Sequence, residues 1–276
     1  MSGQNPSLLL DSEGMPLTSL AEINRLAQEE KERIYGLLVP DELFRNFGID
    51  PGSFLGSDGR RKVRFICPQG LGLLRIEARL QPGDKDCLFF AEIADTQYRQ
   101  VELAFCLIND PASPRYDVDV DAFGRENCFG TVRRNIPEEL RAMAAGLSPN
   151  QARRGLHFFR PFFRKFEQFV ASLGADIIIA EPLSYNNAVR YERYGFDYIT
   201  GKTLMLWIDR EFRPGGELYR RLDGSTPFRQ PGMERTVRGR SWAIHDGILQ
   251  KPWDGVAIYK VPGVDAGVDT FPDRVY

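Results

Sequence analysis

Between Lys62 and Asn109 the chain carries four short runs of aliphatic, aromatic and β-branched residues: Lys62–Cys67, Leu73–Leu80, Cys87–Ala94 and Val101–Asn109. Pro68-Gln69-Gly70 and Gln81-Pro82-Gly83-Asp84 separate the first three, and such residues reverse a chain within a few positions. A connection that short cannot reach a parallel neighbour, which needs a crossover of a dozen residues or more. The block is therefore expected to be an antiparallel meander, with the other elements packed on it. Tyr116–Val120 and Cys128–Val132 are candidates for further strands.

Helical periodicity flanks the meander. Ser19 and Glu22 have capping-box spacing, and Leu20, Ile23, Leu26, Ile34 and Leu37 recur at helical intervals up to Pro40, so one amphipathic helix is expected over 20–38. Asp41 to Phe47, closed by Gly48, reads as a short second helix. Pro137 opens another that ends at Gly146, and Ser148-Pro149 repeats the start signal. Phe162, Phe163, Phe166, Phe169 and Val170 mark one face of a helix beginning near residue 160, with Pro161 in its first turn. Asp176–Ala180 is a short apolar run, expected as a buried strand. Asn187–Tyr194 reads as helix and Phe196–Ile208 as strand. Ser241–Ile248 and Val256–Val261 are candidate edge strands. The expected class is α+β, a mixed sheet with helices packed on it.

Composition removes several functions. The formal net charge is −2 and the pI about 5.9, so there is no general attraction to nucleic acid or an anionic membrane. No run approaches the ~20 apolar residues of a membrane helix, and Met1–Gly14 lacks a signal core, which places the chain in the cytoplasm. The four cysteines are scattered without a C-x-x-C pair and read as reduced thiols. Two histidines, His157 and His245, without paired spacing, argue against a His-rich metal site.

Ala175–Phe196 (ADIIIAEPLSYNNAVRYERYGF) resembles the end of the cofactor-binding core in the GNAT superfamily of acyl-CoA-dependent N-acyltransferases. Tyr191, Gly195 and Phe196 match its Y-x-x-x-G-F element, and Ile178 and Ala180 fall on its strand residues. Ser184 stands where that family usually has Asn, and Asn187 where it usually has Ala. Gln151-Ala152-Arg153-Arg154-Gly155-Leu156-His157 corresponds to its pyrophosphate loop, [Q/R]-x-x-G-x-[G/A]. Gln151 sits one residue early there, and His157 replaces a small residue. The resemblance covers about 60 residues, with 109–148 standing as an inserted or divergent segment.

The resemblance implies a GNAT-like central twisted sheet, antiparallel in its first half, with helices on both faces. It implies a domain over 17–210, after a loose segment 1–16 and before an extension 211–276 that packs on the same domain or on a partner in a homodimer. It further implies acetyl-CoA or another acyl-CoA as co-substrate, held by Gln151, Arg153, Arg154, Gly155, Ser184 and Asn187. The acceptor is expected to be a small-molecule amine, acylated directly in a ternary complex. Tyr191 takes the role of the acid that protonates the departing thiolate.

The base is open. Glu92, inside the apolar run FFAEIA, is either a buried carboxylate suited to the role or a solvent-facing strand residue. Asp117, Asp119 and Asp121 alternate; in a strand they would share one face, and Asp119 is the candidate base among them. Glu102 and Glu181 are weaker alternatives. The arginines from Arg213 to Arg240 either recognise an anion or form a solvated surface. Two other readings stand beside the acyltransferase: a GNAT-fold module without catalysis, and an unrelated α+β enzyme binding a divalent cation on the Asp117–Asp121 strand.

Overall fold

The computed structural model describes residues 8–127 and 133–275. In chain order come α1 (Leu20–Ile23), α2 (Gln28–Gly36), α3 (Asp41–Phe47), β1 (Val63–Ile66), β2 (Leu73–Ala78), β3 (Phe89–Asp95) and β4 (Gln100–Ile108). Then follow α4 (Ile136–Ala144), α5 (Phe159–Ser172), β5 (Ile177–Ala180), α6 (Tyr185–Glu192), β6 (Asp197–Thr200) and α7 (Lys202–Glu211). α8 (Glu217–Arg220), a 3-10 turn at Met233–Arg235, α9 (Val237–His245) and β7 (Ala257–Lys260) complete the chain, a mixed α/β architecture.

The chain divides into two compact units that interleave in sequence. The first holds residues 1–111, 155–180 and 260–264; the second holds 112–154, 181–259 and 265–276. Most of the expected insertion and most of the expected C-terminal extension thus belong to the same unit.

In the first unit, β1 to β4 form the expected antiparallel meander, in register from Val63↔Ala78 through Ile76↔Ala91 to Phe89↔Ile108. β5 joins β4 in parallel, pairing Gln100 with Ile177 and Glu102 with Ile179. β4 continues to Ile108, beyond the last residue it shares with β5. The strands alternate between buried and exposed residues, so one face of the sheet carries Leu74, Ile76, Phe89, Ala91 and Ile93 into the core. α5 lays its phenylalanine face there: Phe162 meets Phe89 edge-on with ring centroids 5.1 Å apart, and Phe169 lies 6.4 Å from Tyr35 of α2.

The expected single helix over 20–38 is in fact two. Asn24, fully buried, is the C-cap of α1, and its side chain is bound outside the helix: Nδ2 donates to Leu71 O at 2.6 Å and Leu73 O at 2.8 Å, and Oδ1 accepts from the Tyr35 hydroxyl. Ser19 caps α1 as expected, and the Asp95 carboxylate accepts from the Leu20 and Ala21 amides at 3.0 and 2.9 Å. Asn24→Ala would take a partner from two part-buried carbonyls and leave the buried Tyr35 hydroxyl without its acceptor. It is expected to cost about 3 kcal/mol, read as a lower urea midpoint with an unchanged slope.

The second unit has its own core, in which Trp242 stacks on Phe228 at 5.3 Å beside Val118, Ala142 and Leu147. Four expectations fail here. Phe196–Ile208 is not one strand: Gly201, at φ 90°, turns the chain after β6, and Met205, Ile208 and Phe212 then bury one face of α7. Ser241–His245 is helical, the end of α9, whose start Thr236 caps through the Gly239 amide, and Asp246–Ile248 is a turn. Tyr116–Val120 forms no strand, and Ser148-Pro149 opens no helix; there Gln151 Oε1 accepts from the Ser148 amide at 3.1 Å and closes a turn. Cys128–Val132 lies outside the described residues. β6 and β7 pair antiparallel, Tyr198 opposite Ile258.

Candidate functional site

In the first unit the connection from β4 to α5 has a definite local geometry. Gly155 backs onto the last residue of β4; a Cβ there would lie 3.1 Å from Ile108 O, a tight contact that would require the two backbones to give by a few tenths of an ångström. His157 holds φ 61°, a left-handed conformation uncommon outside glycine. α5 then begins without a side-chain cap and without an acidic residue in its first turn. Pro161 occupies the third position and removes a donor that helices leave unsatisfied there in any case.

The charges at this helix end are of the wrong sign for an isolated helix. The N-terminus carries roughly half a positive charge from the aligned peptide dipoles, and acidic side chains are what normally stabilise it. Here the exposed residues are His157, Arg160 and Arg164, and the two arginines, four apart, lie on one side. Among the described residues no carboxylate pairs with either arginine, whereas the next cation, Lys165, is held by Asp41 at 2.7 Å. This arrangement is suited to an anion with more than one charge. The sequence carried the signal, since FRPFFRK places cations and no acid in the first two turns.

In the second unit α6 collects three of the expected site residues, Ser184, Asn187 and Tyr191. Their spacing of three and four puts them along one side of the helix, and all three are half-buried. Ser184 is the N-cap residue, yet its hydroxyl makes no capping bond. Asn187 Oδ1 accepts from Asn186 Nδ2 at 3.1 Å, while Asn186 Oδ1 is taken by Ser241 at 2.6 Å. The Tyr191 ring meets Phe196 edge-on, with centroids 4.9 Å apart.

The neighbouring face of α6 holds an acid that was overlooked in the sequence. Tyr185, Ala188, Val189 and Glu192 are all buried. The same periodicity that marks Ala188 and Val189 as core puts Glu192 there, so the position was readable. Its carboxylate accepts from the Tyr198 hydroxyl, the Thr270 hydroxyl and, at 3.1 Å, the Thr270 amide. Burial pushes the Glu192 pKa above the usual carboxylate range; the Thr270 and Tyr198 bonds only partly oppose it.

An acid raised in the folded state binds its proton more tightly there than in the unfolded chain. Its contribution is therefore fully present below the unfolded pKa and is lost as pH rises through the folded one. Glu192→Gln is expected to flatten the fall of stability with pH above the ordinary glutamate pKa and to leave the variant the more stable form at neutral pH. Urea unfolding at acidic and neutral pH checks this; an unchanged difference between the two would contradict it.

The remaining expected residues are dispersed or engaged. Gln151, Arg153 and Arg154 belong to the second unit and Gly155 to the first. Arg153 donates to Ser113 O, and Arg154 to Ala145 O at 3.1 Å. Glu92, half-buried on β3, accepts from Arg75 Nε at 2.8 Å across the β2–β3 pair. Asp119 and Asp117 both clamp Arg115. Asp121 turns away and accepts from the Phe123 and Arg125 amides and the Arg125 guanidinium. The expected face of three aspartates is thus replaced by two separate arginine-centred arrangements, because the segment is a loop and strand alternation does not apply. Among the described residues no group of three or more His, Cys, Asp or Glu is placed to hold a metal ion, and no helix is long and apolar enough to cross a membrane.

No protein-family model matches the chain, and no curated protein and no solved structure is similar to it.

Proposed function

We propose that the chain is an N-acyltransferase that takes an acyl group from acyl-CoA, acetyl-CoA first among the candidates, and passes it directly to a small-molecule amine. The observation that carries this reading is the start of α5. Gly155 packs on the end of β4, and the helix it leads into bears Arg160 and Arg164 with no acidic residue in its first turn. A diphosphate-bearing cofactor supplies the missing negative charge. The half-buried stripe of Ser184, Asn187 and Tyr191 on α6 adds to the reading, since Tyr191 matches the GNAT element and Ser184 and Asn187 stand at its neighbouring positions, though with other residues than the family usually has.

In this reaction the amine nitrogen attacks the thioester carbonyl. A C–N bond forms, the C–S bond breaks, the thiolate leaves with a proton from the Tyr191 hydroxyl, and the proton shed by the amine nitrogen restores that hydroxyl through solvent. Glu92 and Asp119 are each engaged by an arginine and would have to leave it to reach an amine. Tyr191 alone is therefore carried forward with a chemical role.

Titration calorimetry with acetyl-CoA tests the reading. Wild-type protein is expected to bind in the micromolar range. Arg160→Ala/Arg164→Ala is expected to bind about tenfold to a hundredfold more weakly, as two charge-assisted contacts are lost. Both side chains are exposed, so the fold should be untouched. Arg153→Ala/Arg154→Ala gauges the loop separately. If acetyl-CoA, longer acyl-CoAs and free CoA all fail to bind, the acyltransferase reading is lost.

A further inference from the structure

The second unit contains an open cleft of about 440 Å3 between α9 and the turn that follows α4. That volume lies within the ~300–1,000 Å3 of small-molecule sites. Met143, Leu147, Met233 and Trp242 supply apolar lining. The indole N–H of Trp242 is already given to Leu147 O at 2.9 Å, so the ring offers the cleft only carbon. Two glycines shape it. A Cβ on Gly239 would fall 2.4 Å from Met233 O, so α9 and the Met233 turn meet only because that position is bare. Gly146, at φ 80°, leaves room for the Arg238 guanidinium, whose Nη1 would lie 2.9 Å from a Cβ there.

Arg238 differs from the arginines around it. Arg240 is paired with Asp209, Arg229 with Asp246 and Arg235 with Glu234. Among the described residues no carboxylate pairs with Arg238. The nearby Glu234 is occupied by Arg235 and by the Gly232 amide at 2.8 Å. One unpaired, planar cation therefore stands beside an apolar recess of ligand size. A ligand that matches both features has a single carboxylate, which a guanidinium can grip with two parallel hydrogen bonds, and a compact apolar body.

We propose that this cleft binds a small organic carboxylate with an aromatic or branched apolar body, its charge on Arg238 and its body against Met143, Met233 and Trp242. The site does not depend on acyl transfer and would stand if that reading fell.

Calorimetry with 3-phenylpropionate, compared with its neutral isostere 3-phenylpropanamide, tests it on the full chain. Saturable one-site binding of the carboxylate is expected, about tenfold tighter than the amide. In Arg238→Gln that preference should vanish, with the urea midpoint unchanged because the side chain is exposed. The proposal is overturned if 3-phenylpropionate does not bind saturably, if the amide binds equally well, or if Arg238→Gln keeps the preference.

Discussion

Arg240→Ala is expected to lower the free energy of unfolding by about 3–5 kcal/mol, as removing one partner of a buried ion pair does elsewhere. The side chain is 4% exposed. Its Nη1 donates to Asp209 Oδ1 at 2.9 Å and its Nε to Glu234 O at 2.7 Å. The guanidinium also lies 3.4 Å from the centroid of the Phe271 ring, so it ties α9 to α7, to the Met233 turn and to the C-terminal segment at once. Alanine would remove the charge, the packing and the donor to Glu234 together. Asp209 keeps Arg213 at 2.7 Å, which places the cost toward the lower end of the range. Arg213 itself is the internal control: it is 55% exposed, and its loss should cost less than about 1 kcal/mol. Replacing both partners by apolar residues, Arg240→Met with Asp209→Leu, should recover much of the loss, since no bare charge is then left buried. Urea titrations of the four proteins decide the matter; equal costs for Arg240→Ala and Arg213→Ala would show that the buried pair does not hold these elements.

Tyr191→Phe is expected to reduce turnover by about a hundredfold or more while acetyl-CoA binds as before, the range over which a positioned general acid acts. This follows from the proposed acyl transfer. The phenyl ring can keep the edge-on contact with Phe196, and a loss of rate with the urea midpoint unchanged would report the hydroxyl's part in the reaction. A comparison of leaving groups separates chemistry from structure. If the hydroxyl protonates the thiolate, acyl donors with better leaving groups should be less sensitive to the substitution than acetyl-CoA. Equal loss for both classes of donor would move Tyr191 from acid to scaffold.

The errors in the sequence reading share a physical cause. Phe196–Ile208 and Ser241–Ile248 are apolar runs with small hydrophilic interruptions, and such runs suit a strand or a buried helix equally well. The choice was made at their ends, by Gly201 turning the chain and by Thr236 capping α9, and each device matters only because a core awaits the buried face. The break between α1 and α2 has no local signal at all. Asn24 sits within a helical period, yet it closes α1, and the carbonyls its side chain binds, at Leu71 and Leu73, are far away in sequence.

The candidate site was legible in the same uneven way. Ser184, Asn187 and Tyr191 were found by pattern, and helical spacing alone puts them on one side of α6 once the helix exists. Arg160, Arg164 and Glu192 were overlooked although their positions could be counted off from neighbouring core residues. Glu92 and the aspartates of 117–121 could not be judged, because what neutralises a carboxylate is usually remote or depends on a loop conformation. Arg75 reaches Glu92 only through the β2–β3 register.

By itself, then, the sequence determined the antiparallel meander, the helix that begins near Phe159 and the strand that follows it. Those features rest on short turns, on apolar periodicity and on Gly and Pro, all of which act within a few residues. The tertiary structure alone decided that 112–154 and most of 181–276 form one unit, that Tyr198 and Thr270 meet the Glu192 carboxylate, that Arg240 is buried, and that Arg238 is left without a carboxylate. Burial and charge pairing are properties of residues that meet in space, and no local pattern encodes which distant side chain will arrive.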